Sequence, residues 1–419
     1  MKGLLAFLVI FCVIVIVHEF GHFYVAKRSG ILVREFSVGM GPKLFSHMAK
    51  DGTLYTLRLL PLGGYVRMAG WGEDVTTIRT GQLVALSLNE ANQVTRINMT
   101  SRQLDPNALP MQVTSSDLEG ALTITGLVLD ETRTYTVCHD ATIVEGDGSE
   151  VRLAPKDVQY QNASFLGKLA TNMAGPFNNF VLGLFLCLII AFMQGGVADR
   201  SSNQVTVLPD SPVRQAGLET GDRITAINGK ATIDYDELYQ TLQDVVGRDK
   251  GKVIEVTASH KGQTKTVSVT PKKDGTRYVI GISPIQKTSF WDKIVGGCEM
   301  ALQNATAIIS ALKDIVASFS LDKLGGPVAI YSMSSQVADQ GIIPILSFMA
   351  MLSINLGIVN LFPLPALDGG KIIFAILEAI RRKPLKQSTE TYVTIAGVAI
   401  IFVLMVAVTW NDIMRIFFR

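Results

Sequence analysis

The N-terminal segment restricts the fold of this chain more than any other feature. Residues 3–17 form a run of 15 positions without a charged side chain, and the apolar character continues, with few exceptions, through residues 3–26. A helix needs roughly 20 apolar residues to cross a hydrocarbon core of about 30 Å. The segment therefore predicts a membrane-spanning helix. Three further segments are candidates for the same reason: residues 177–193, 342–362 and 392–410.

The composition supports a chain that is partly embedded in lipid. Hydrophobic residues make up 48% of the sequence and charged residues 18%, whereas about a quarter of the residues in soluble domains are charged. The mean hydropathy is +0.32. A net charge of +2 without a long basic tract does not indicate a nucleic-acid partner. We therefore predict a multi-span α-helical membrane protein with about four transmembrane helices, in contact with the lipid bilayer.

A cleaved signal peptide is the alternative interpretation of the N-terminal segment. Met1 and Lys2 precede the apolar run, as in secretory signals. No cleavage site of the small-x-small type follows the run, however. We therefore expect the segment to remain in the protein as its first span.

Positive charges in the short loops predict the orientation of the spans. Basic residues follow the first span and precede the last: Lys27, Arg28 and Arg34, and then Arg381, Arg382, Lys383 and Lys386. Both groups fit the cytoplasmic side if the N-terminus lies outside. We therefore expect a multi-pass protein of the plasma membrane, with residues 196–341 and both termini outside. Arg415 and Arg419 in the tail are mild evidence against this orientation.

The motif His18-Glu-Phe-Gly-His22 lies at the end of the first apolar run. Histidines four residues apart lie on one face of a helix, within reach of one metal ion, and neutral imidazole is a good zinc ligand. Glu19 lies beside that face and can take a proton from an attacking water. A rise of about 1.5 Å per residue places His18 roughly 22 Å from Gly3, in the cytoplasmic third of the bilayer. Polar groups at this depth usually serve a function, so a chance match explains the motif poorly.

Catalytic zinc needs three protein ligands and one open position, so two histidines leave one ligand to find. The best candidate is Asp368 in residues 360–370, whose sequence is NLFPLPALDGG. The two prolines end the preceding helix, and irregular backbone at membrane depth is tolerated only inside protein or beside a wet cavity. The predicted direction of this span brings Asp368 to the depth of His18. Without the histidine motif, Asp368 would more simply cap the helix that begins near Lys371.

These motifs resemble the site-2 protease family, the M50 intramembrane zinc metalloproteases. The resemblance is carried by HEFGH in the first span, LDGG in a late span and a PDZ-like segment, residues 203–285, between them. Four shorter segments are also similar: 36–43 (FSVGMGPK), 60–66 (LPLGGYV), 172–178 (NMAGPFN) and 324–327 (LGGP). The single PDZ-like segment and the long insertion look like the Gram-positive branch, which includes proteases that process peptide pheromones or cleave anti-sigma factors.

The resemblance implies a role for each site residue. His18, His22 and Asp368 would bind Zn²⁺, and Glu19 would be the catalytic base. Asn360 would help to position the substrate backbone near the cut.

Two further regions would contact substrate according to the same resemblance. Two extended runs surround Gly63-Gly64, which predicts a β-hairpin at residues 53–68. This hairpin would be the membrane-associated β-loop, which holds an unwound substrate by strand addition. In the PDZ domain, Gly217 and Leu218 would form the binding turn. The domain would bind a peptide or, as we prefer, act as a size filter.

Together the patterns divide the chain at these boundaries: 1–28, the first transmembrane helix with HExxH; 29–69, the membrane-associated β-hairpin region; 70–170, a cytoplasmic β-rich insertion; 174–195, the second transmembrane helix; 203–285, an extracytoplasmic α+β PDZ domain; 288–341, an extracytoplasmic amphipathic helix region; 342–380, the third transmembrane helix with LDGG; and 391–411, the fourth.

The sequence thus predicts an intramembrane zinc metalloendopeptidase (EC 3.4.24.-) that acts in regulated intramembrane proteolysis. Its substrates would be transmembrane segments of single-span proteins, such as anti-sigma factors, or signal-peptide remnants and pheromone precursors. The alternative is a binding protein and not an enzyme, namely a membrane-anchored PDZ adaptor with a structural metal site. A transporter is a third possibility, since intramembrane His and Asp residues and a broken helix suit that class too, but the sequence shows no inverted repeat.

Overall fold

A computed structural model describes residues 2–418 except 71–77, 103–104, 147, 250, 261, 275–276 and 319–324. Contacts divide the chain into two units, Met1–Leu186 with Ala301–Arg419 and Cys187–Met300. Part of the predicted insertion (71–77) and Leu324 of the LGGP segment lie outside the described residues.

The first unit is built largely of helices. Four helices of the described chain are long and apolar enough to cross a membrane. The spans are Lys2–Arg28, Phe165–Met193, Ile342–Asn360 and Ser388–Arg415, in agreement with the four segments predicted from hydropathy. The helices of the described chain are α1 (Lys2–Arg28), α2 (Phe165–Met193), α3 (Pro212–Gln215), α4 (Tyr235–Asp249), α5 (Phe290–Ser318), α6 (Pro327–Gln340), α7 (Ile342–Asn360), α8 (Asp368–Arg381) and α9 (Gln387–Phe418).

The strands lie between α1 and α2 and in the second unit. Their bounds are β1 (Val33–Met48), β2 (Leu54–Met68), β3 (Leu83–Leu88), β4 (Val94–Asn98), β5 (Leu109–Asp117), β6 (Thr123–Val128), β7 (Glu131–Val144), β8 (Glu150–Arg152), β9 (Val197–Ala198), β10 (Val205–Val207), β11 (Arg223–Ile227), β12 (Lys230–Ala231), β13 (Ile254–His260), β14 (Gln263–Val269), β15 (Lys272–Asp274), β16 (Arg277–Val279), β17 (Ile282–Pro284) and β18 (Gln286–Lys287).

The sheet formed by β1 and β2 differs from our prediction. We expected the two extended runs on either side of Gly63-Gly64 to pair with each other. Instead both runs pair with β1: Ser37 lies opposite Thr56 and also opposite Tyr65. The prediction of a local hairpin was therefore wrong. Gly63 has a φ of 92° and lets the chain bend, but a turn signal does not show that a third segment lies between the two arms.

The β-rich region predicted before α2 is present as a six-stranded sheet of order β4-β3-β5-β6-β7-β8. β4 also pairs with β7, so the sheet curves back on itself. Its core consists of aliphatic and methionine side chains with almost no exposure, among them Leu86, Ile97, Met111, Ile124 and Ile143. In β6, for example, buried and less buried positions alternate, as in a strand with one face in a core.

The second unit contains the predicted α+β pattern. β11, α4, β13 and β14 all lie within 203–285, the segment for which the sequence predicts an α+β domain. The sheet order is β12-β11-β13-β14, and β10 pairs with β17. Buried side chains of α4 pack on this sheet, among them Leu238 and Leu242. The assignment of this segment as a PDZ domain stays a prediction.

Candidate metal centre

Two helices meet closely at the level of the histidine motif. His18 and His22 on α1 are 7% and 4% exposed. Gly21 on α1 permits the approach of α2, because a Cβ there would lie 2.3 Å from the carbonyl oxygen of Ala174. A Cβ on Gly175 would lie 2.3 Å from Nε2 of His22. The absence of these two side chains lets the backbones touch and leaves room for the imidazole rings.

Asp368 reaches the histidines from the first turn of α8, directly after an irregular segment. The range 342–380, which we expected to form one span, contains two helices, because α7 ends at Asn360 and α8 begins at Asp368. The loop folds back on the start of α8: a Cβ on Gly369 would lie 2.2 Å from the carbonyl oxygen of Phe362. Leu367 is the N-cap, without a side-chain capping hydrogen bond. Simple helix capping therefore does not account for the Asp368 carboxylate.

Three buried ligand atoms converge between these elements. Nε2 of His18 lies 3.2 Å from Nε2 of His22, and Oδ2 of Asp368 lies 3.2 Å and 3.3 Å from them. Zn–N and Zn–O bonds of about 2.0–2.1 Å in a tetrahedral site place ligand atoms roughly 3.3 Å apart. Within the described residues, these three form the one His/Cys/Asp/Glu group close enough to hold a metal ion. The donor set and its spacing fit zinc.

The tautomer of His22 supports the same conclusion. Its Nδ1 lies 2.7 Å from the carbonyl oxygen of Thr171, which can only accept a hydrogen bond, so Nδ1 carries the proton in the neutral ring. The lone pair of Nε2 then points towards the Asp368 carboxylate. Oδ2 of Asp368 is buried and has no hydrogen-bond donor. A lone pair facing a buried carboxylate oxygen is repulsive unless a cation lies between them.

His18 also has a partner at its Nδ1 atom, but this partner is a side chain. Nδ1 of His18 lies 3.1 Å from the side-chain amide nitrogen, Nδ2, of Asn179 on α2, a residue without solvent exposure. Metal binding through Nε2 requires a proton on Nδ1, and the amide accepts that proton after a flip that exchanges its nitrogen and oxygen, so that the oxygen faces the ring. Oδ1 of Asn179 is otherwise buried without a partner. Asn179 therefore fits the role of orienting His18.

Glu19 lies next to the ligand set on α1 and is half-buried. It interacts electrostatically with the three converging residues and with Lys371. A carboxylate here can accept a proton without itself serving as one of the three converging ligands.

The other predicted site residues lie elsewhere. Asn360 is the half-buried last residue of α7. Gly217 and Leu218 lie in the second unit, where their backbone N–H groups donate to Arg214 and Val213, each over 3.0 Å. The Leu218 side chain is 1% exposed, in the core. The proposed substrate contacts of these residues stay predictions, and the paired amides of Gly217 and Leu218 leave no donor there for a peptide carboxylate.

Sequence reasoning did not identify Thr171, Gly175 or Asn179 as parts of the site. The one signal was the segment 172–178, noted for its family resemblance alone. Its glycine, proline and asparagines within an apolar span are a recognisable pattern, since polar residues in a membrane helix usually have a partner.

Comparison with known proteins agrees with this geometry. The model for peptidase family M50 matches residues 6–404. A Streptococcus pyogenes protein with zinc metalloprotease in its name is 58% identical over the full length of both chains. A Streptococcus pneumoniae protein with the same words in its name is 55% identical, again over both full chains. The Enterococcus faecalis protein named as the protease Eep is 45% identical over both full chains.

The match to the family model covers nearly the whole chain and includes the segments that carry His18, His22 and Asp368. The buried three-ligand cluster supplies the metal chemistry that the names of the relatives indicate. This chain thus belongs to peptidase family M50, the site-2 proteases, and is a membrane metalloprotease with zinc as its cofactor.

Proposed function

We propose that the protein is an endopeptidase that hydrolyses peptide bonds within transmembrane segments. The observation that carries the proposal is the convergence of three buried ligand atoms from α1 and α8, at 3.2–3.3 Å from one another. Three ligands leave a fourth position open, which is the arrangement of catalytic rather than structural zinc. The proposed ligands are His18, His22 and Asp368.

Different residues of the chain perform different steps of the hydrolysis. Zinc, when bound, polarises the scissile carbonyl group and activates water. Glu19 takes the proton from the attacking water and passes it to the leaving amine. Thr171 and Asn179 hold the two imidazole rings so that Nε2 of each faces the metal.

A helical substrate has its amide groups paired internally and must unwind before it can be cut. The sheet of β1 and β2 supports this step. Within the described chain, the outer arm at residues 43–48 pairs on one side only, with 54–58, and residues 40–47 are exposed. Such an edge can accept an extended peptide by strand addition. In our proposal, Asn360 positions the substrate backbone close to the metal.

The remaining parts of the proposal concern partners and location. The substrates are single-span membrane proteins, such as anti-sigma factors, or signal-peptide remnants and pheromone precursors, cut in regulated intramembrane proteolysis. The protein lies in the plasma membrane with both termini outside. The outside segment 203–285 is a PDZ domain that filters substrates by size; the alternative, peptide binding at Gly217 and Leu218, is disfavoured because the amides of both residues are already paired. The domain boundaries are those derived from the sequence, except that the third span is α7 (Ile342–Asn360) and not the whole of 342–380.

A membrane-anchored PDZ adaptor with a structural metal site is the alternative. A structural zinc site usually has four protein ligands. In the described residues, three ligands lie close enough together to hold one metal ion. A further carboxylate, Glu19, interacts electrostatically with these ligands. This arrangement favours the protease.

The test compares the wild type with Glu19→Gln in the full-length protein. Glutamine keeps the shape but cannot take the proton, so the variant should retain one zinc per chain and lose cleavage of a single-span model substrate. Glu299→Gln, at an exposed position of α5, is the matched control and should cleave normally. Full cleavage by Glu19→Gln would remove Glu19 as the base. A wild type that binds zinc but leaves single-span substrates uncut would favour the adaptor.

A further inference from the structure

The last helix touches the rest of the first unit sparingly. In the apolar stretch of α9 that is long enough to cross a membrane, 11% of the residues are buried. Between residues 391 and 400, all of which the structure describes, Gly397 is the one fully buried position. Since most neighbouring side chains are exposed, the contact at Gly397 is the main attachment of this part of α9.

The contact is between backbones. A Cβ on Gly397 would lie 2.2 Å from the carbonyl oxygen of Pro365 and 2.6 Å from its Cβ. No side chain fits between them, because real Cβ atoms do not approach other heavy atoms so closely. α9 is therefore in direct contact with the loop that leads to Asp368.

That loop holds an unfavourable conformation. Ala366, two residues before Asp368, has a φ of 81°, in the left-handed region that residues with a Cβ rarely adopt. Local hydrogen bonds close the turn, from Leu364 to Phe362 over 2.7 Å and from Leu367 to Leu364 over 3.1 Å. Such a strained turn persists only when its surroundings hold it in place.

We propose that Gly397 is a positioning residue of the metal centre: its bare backbone lets α9 lie against Pro365, which holds the strained turn and so directs Asp368 towards the histidines. The inference rests on the proposed role of Asp368 as a zinc ligand. Gly397 is not one of the three proposed ligands. It acts through the turn, which is closed on its other side by Gly369 against Phe362.

The test is Gly397→Ala in the full-length protein, with Ala396→Val as the matched control, because Ala396 is the exposed neighbour on the same helix. Zinc affinity is measured by competition with a chelator, and kcat and KM with a single-span substrate. We expect Gly397→Ala to bind zinc at least about tenfold more weakly and to lose kcat with little change in KM. Ala396→Val should match the wild type.

Zinc affinity separates positioning from simple helix packing. No Cβ fits between Gly397 and Pro365, so a glycine that only packs α9 would lose thermal stability on substitution by alanine but keep the wild-type zinc affinity of the folded protein. Gly397→Ala with wild-type zinc affinity and kcat would overturn the inference. Asp368→Ala is the comparator: if it also kept wild-type zinc affinity, the proposed ligand set itself would fail.

A second measurement avoids any variant and so covers the case in which Gly397→Ala does not fold. If the contact at Gly397 supports zinc binding, bound zinc also supports this contact, because coupling between two sites is reciprocal. Removing zinc from the wild type should therefore loosen both the turn before Asp368 and its contact with α9. We expect faster amide hydrogen exchange at residues 361–371 and 394–400 after chelation, and no change at residues 349–354 of α7. Unchanged exchange at 394–400 would overturn the inference.

Discussion

The Nδ1–H group of His22 donates a hydrogen bond to the backbone carbonyl of Thr171 over 2.7 Å. A backbone carbonyl cannot be removed by changing a side chain, so α2 itself selects the tautomer in which Nε2 of His22 is free for a metal. His18 has the side chain of Asn179 in the equivalent place. This half of the arrangement can therefore be tested by substitution.

Asn179→Leu should weaken zinc binding. Leucine has a similar volume but cannot accept the proton of His18 Nδ1, and loss of such an outer partner typically lowers metal affinity by about 10–100-fold. The measurement is a zinc titration of the purified protein against a competing chelator. Asn179→Asp is the control, because a carboxylate still accepts the hydrogen bond and should retain most of the affinity. Equal affinities for the two variants would contradict the role of Asn179.

Gly175→Ala should remove zinc binding almost completely. A methyl group there would lie 2.3 Å from Nε2 of His22 and 2.7 Å from Cε1 of His18, so it would occupy the space between the rings and the metal. We expect less than about one tenth of the chains to hold zinc at concentrations that saturate the wild type, a loss as large as that from a missing outer partner or larger. Zinc content per chain is the measurement.

The matched control for Gly175→Ala is Gly247→Ala on α4. Gly247 is also a helical glycine, but a Cβ there meets no atom within 4 Å. Alanine at this position should leave the zinc content unchanged and raise local helix stability by about 1 kcal/mol. If both variants kept normal zinc content, the close packing at Gly175 would not limit metal binding.

The parts of the site that were predictable from the sequence are those with a local pattern. His18 and His22 share a helix face because of their spacing, and the search for a third ligand led to Asp368 because of its broken helix. Thr171 gave no signal, since its contribution is a backbone carbonyl that any residue would provide. The role of Gly175 depends on how two distant helices cross, which periodicity does not show.

The fold shows the same division. Apolar runs predicted the four spans, because crossing a bilayer requires a certain length of apolar helix. The pairing of β1 with β2 was not predicted, because a Gly-Gly bend at Gly63 is a local signal whereas the partner of each arm is not. Ser37 lies opposite residues of both arms, a contact that no short-range rule identifies.

Lys168→Met should destabilise the first unit. Nζ of Lys168 on α2 lies 2.7 Å from Oε2 of Glu378 on α8, and the two side chains are 10% and 19% exposed. The other carboxylate oxygen accepts the N–H group of Leu385 over 2.8 Å. Removing the ammonium leaves a largely buried carboxylate unpaired, which costs about 3 kcal/mol. The midpoint of thermal unfolding should fall accordingly.

Arg133→Met is the control for the ion pair. Arg133 pairs with Glu131 over 2.8 Å, but these side chains are 55% and 69% exposed, and exposed pairs contribute little because water screens them. Its unfolding midpoint should match the wild type. A decrease for Lys168→Met no larger than that for Arg133→Met would show that the contact between α2 and α8 adds nothing to stability.

Asp222 should make the second unit sensitive to acid. The side chain has no solvent exposure; burial raises its pKa, but the Glu219 amide, His260 and Lys265 outweigh burial, so the pKa lies below its ordinary value of 3.8. A carboxylate with a lowered pKa stabilises the fold above its ordinary pKa, and this contribution is lost as the pH falls through the lower folded value. We therefore expect amide hydrogen exchange in β11, corrected for the intrinsic rate, to accelerate below about pH 4.

Asp222→Asn separates this carboxylate from general acid effects. The variant loses the charged acceptor at every pH, so β11 should be less stable at neutral pH by roughly 1–3 kcal/mol, and the further acceleration in acid should be smaller. Asp236→Asn is the control, because Asp236 pairs with Arg200 on the surface, where both side chains are 57% exposed. It should keep the wild-type pH dependence. If Asp222→Asn kept the full acid-dependent acceleration, another group would be responsible for it, because asparagine cannot take up a proton in this range.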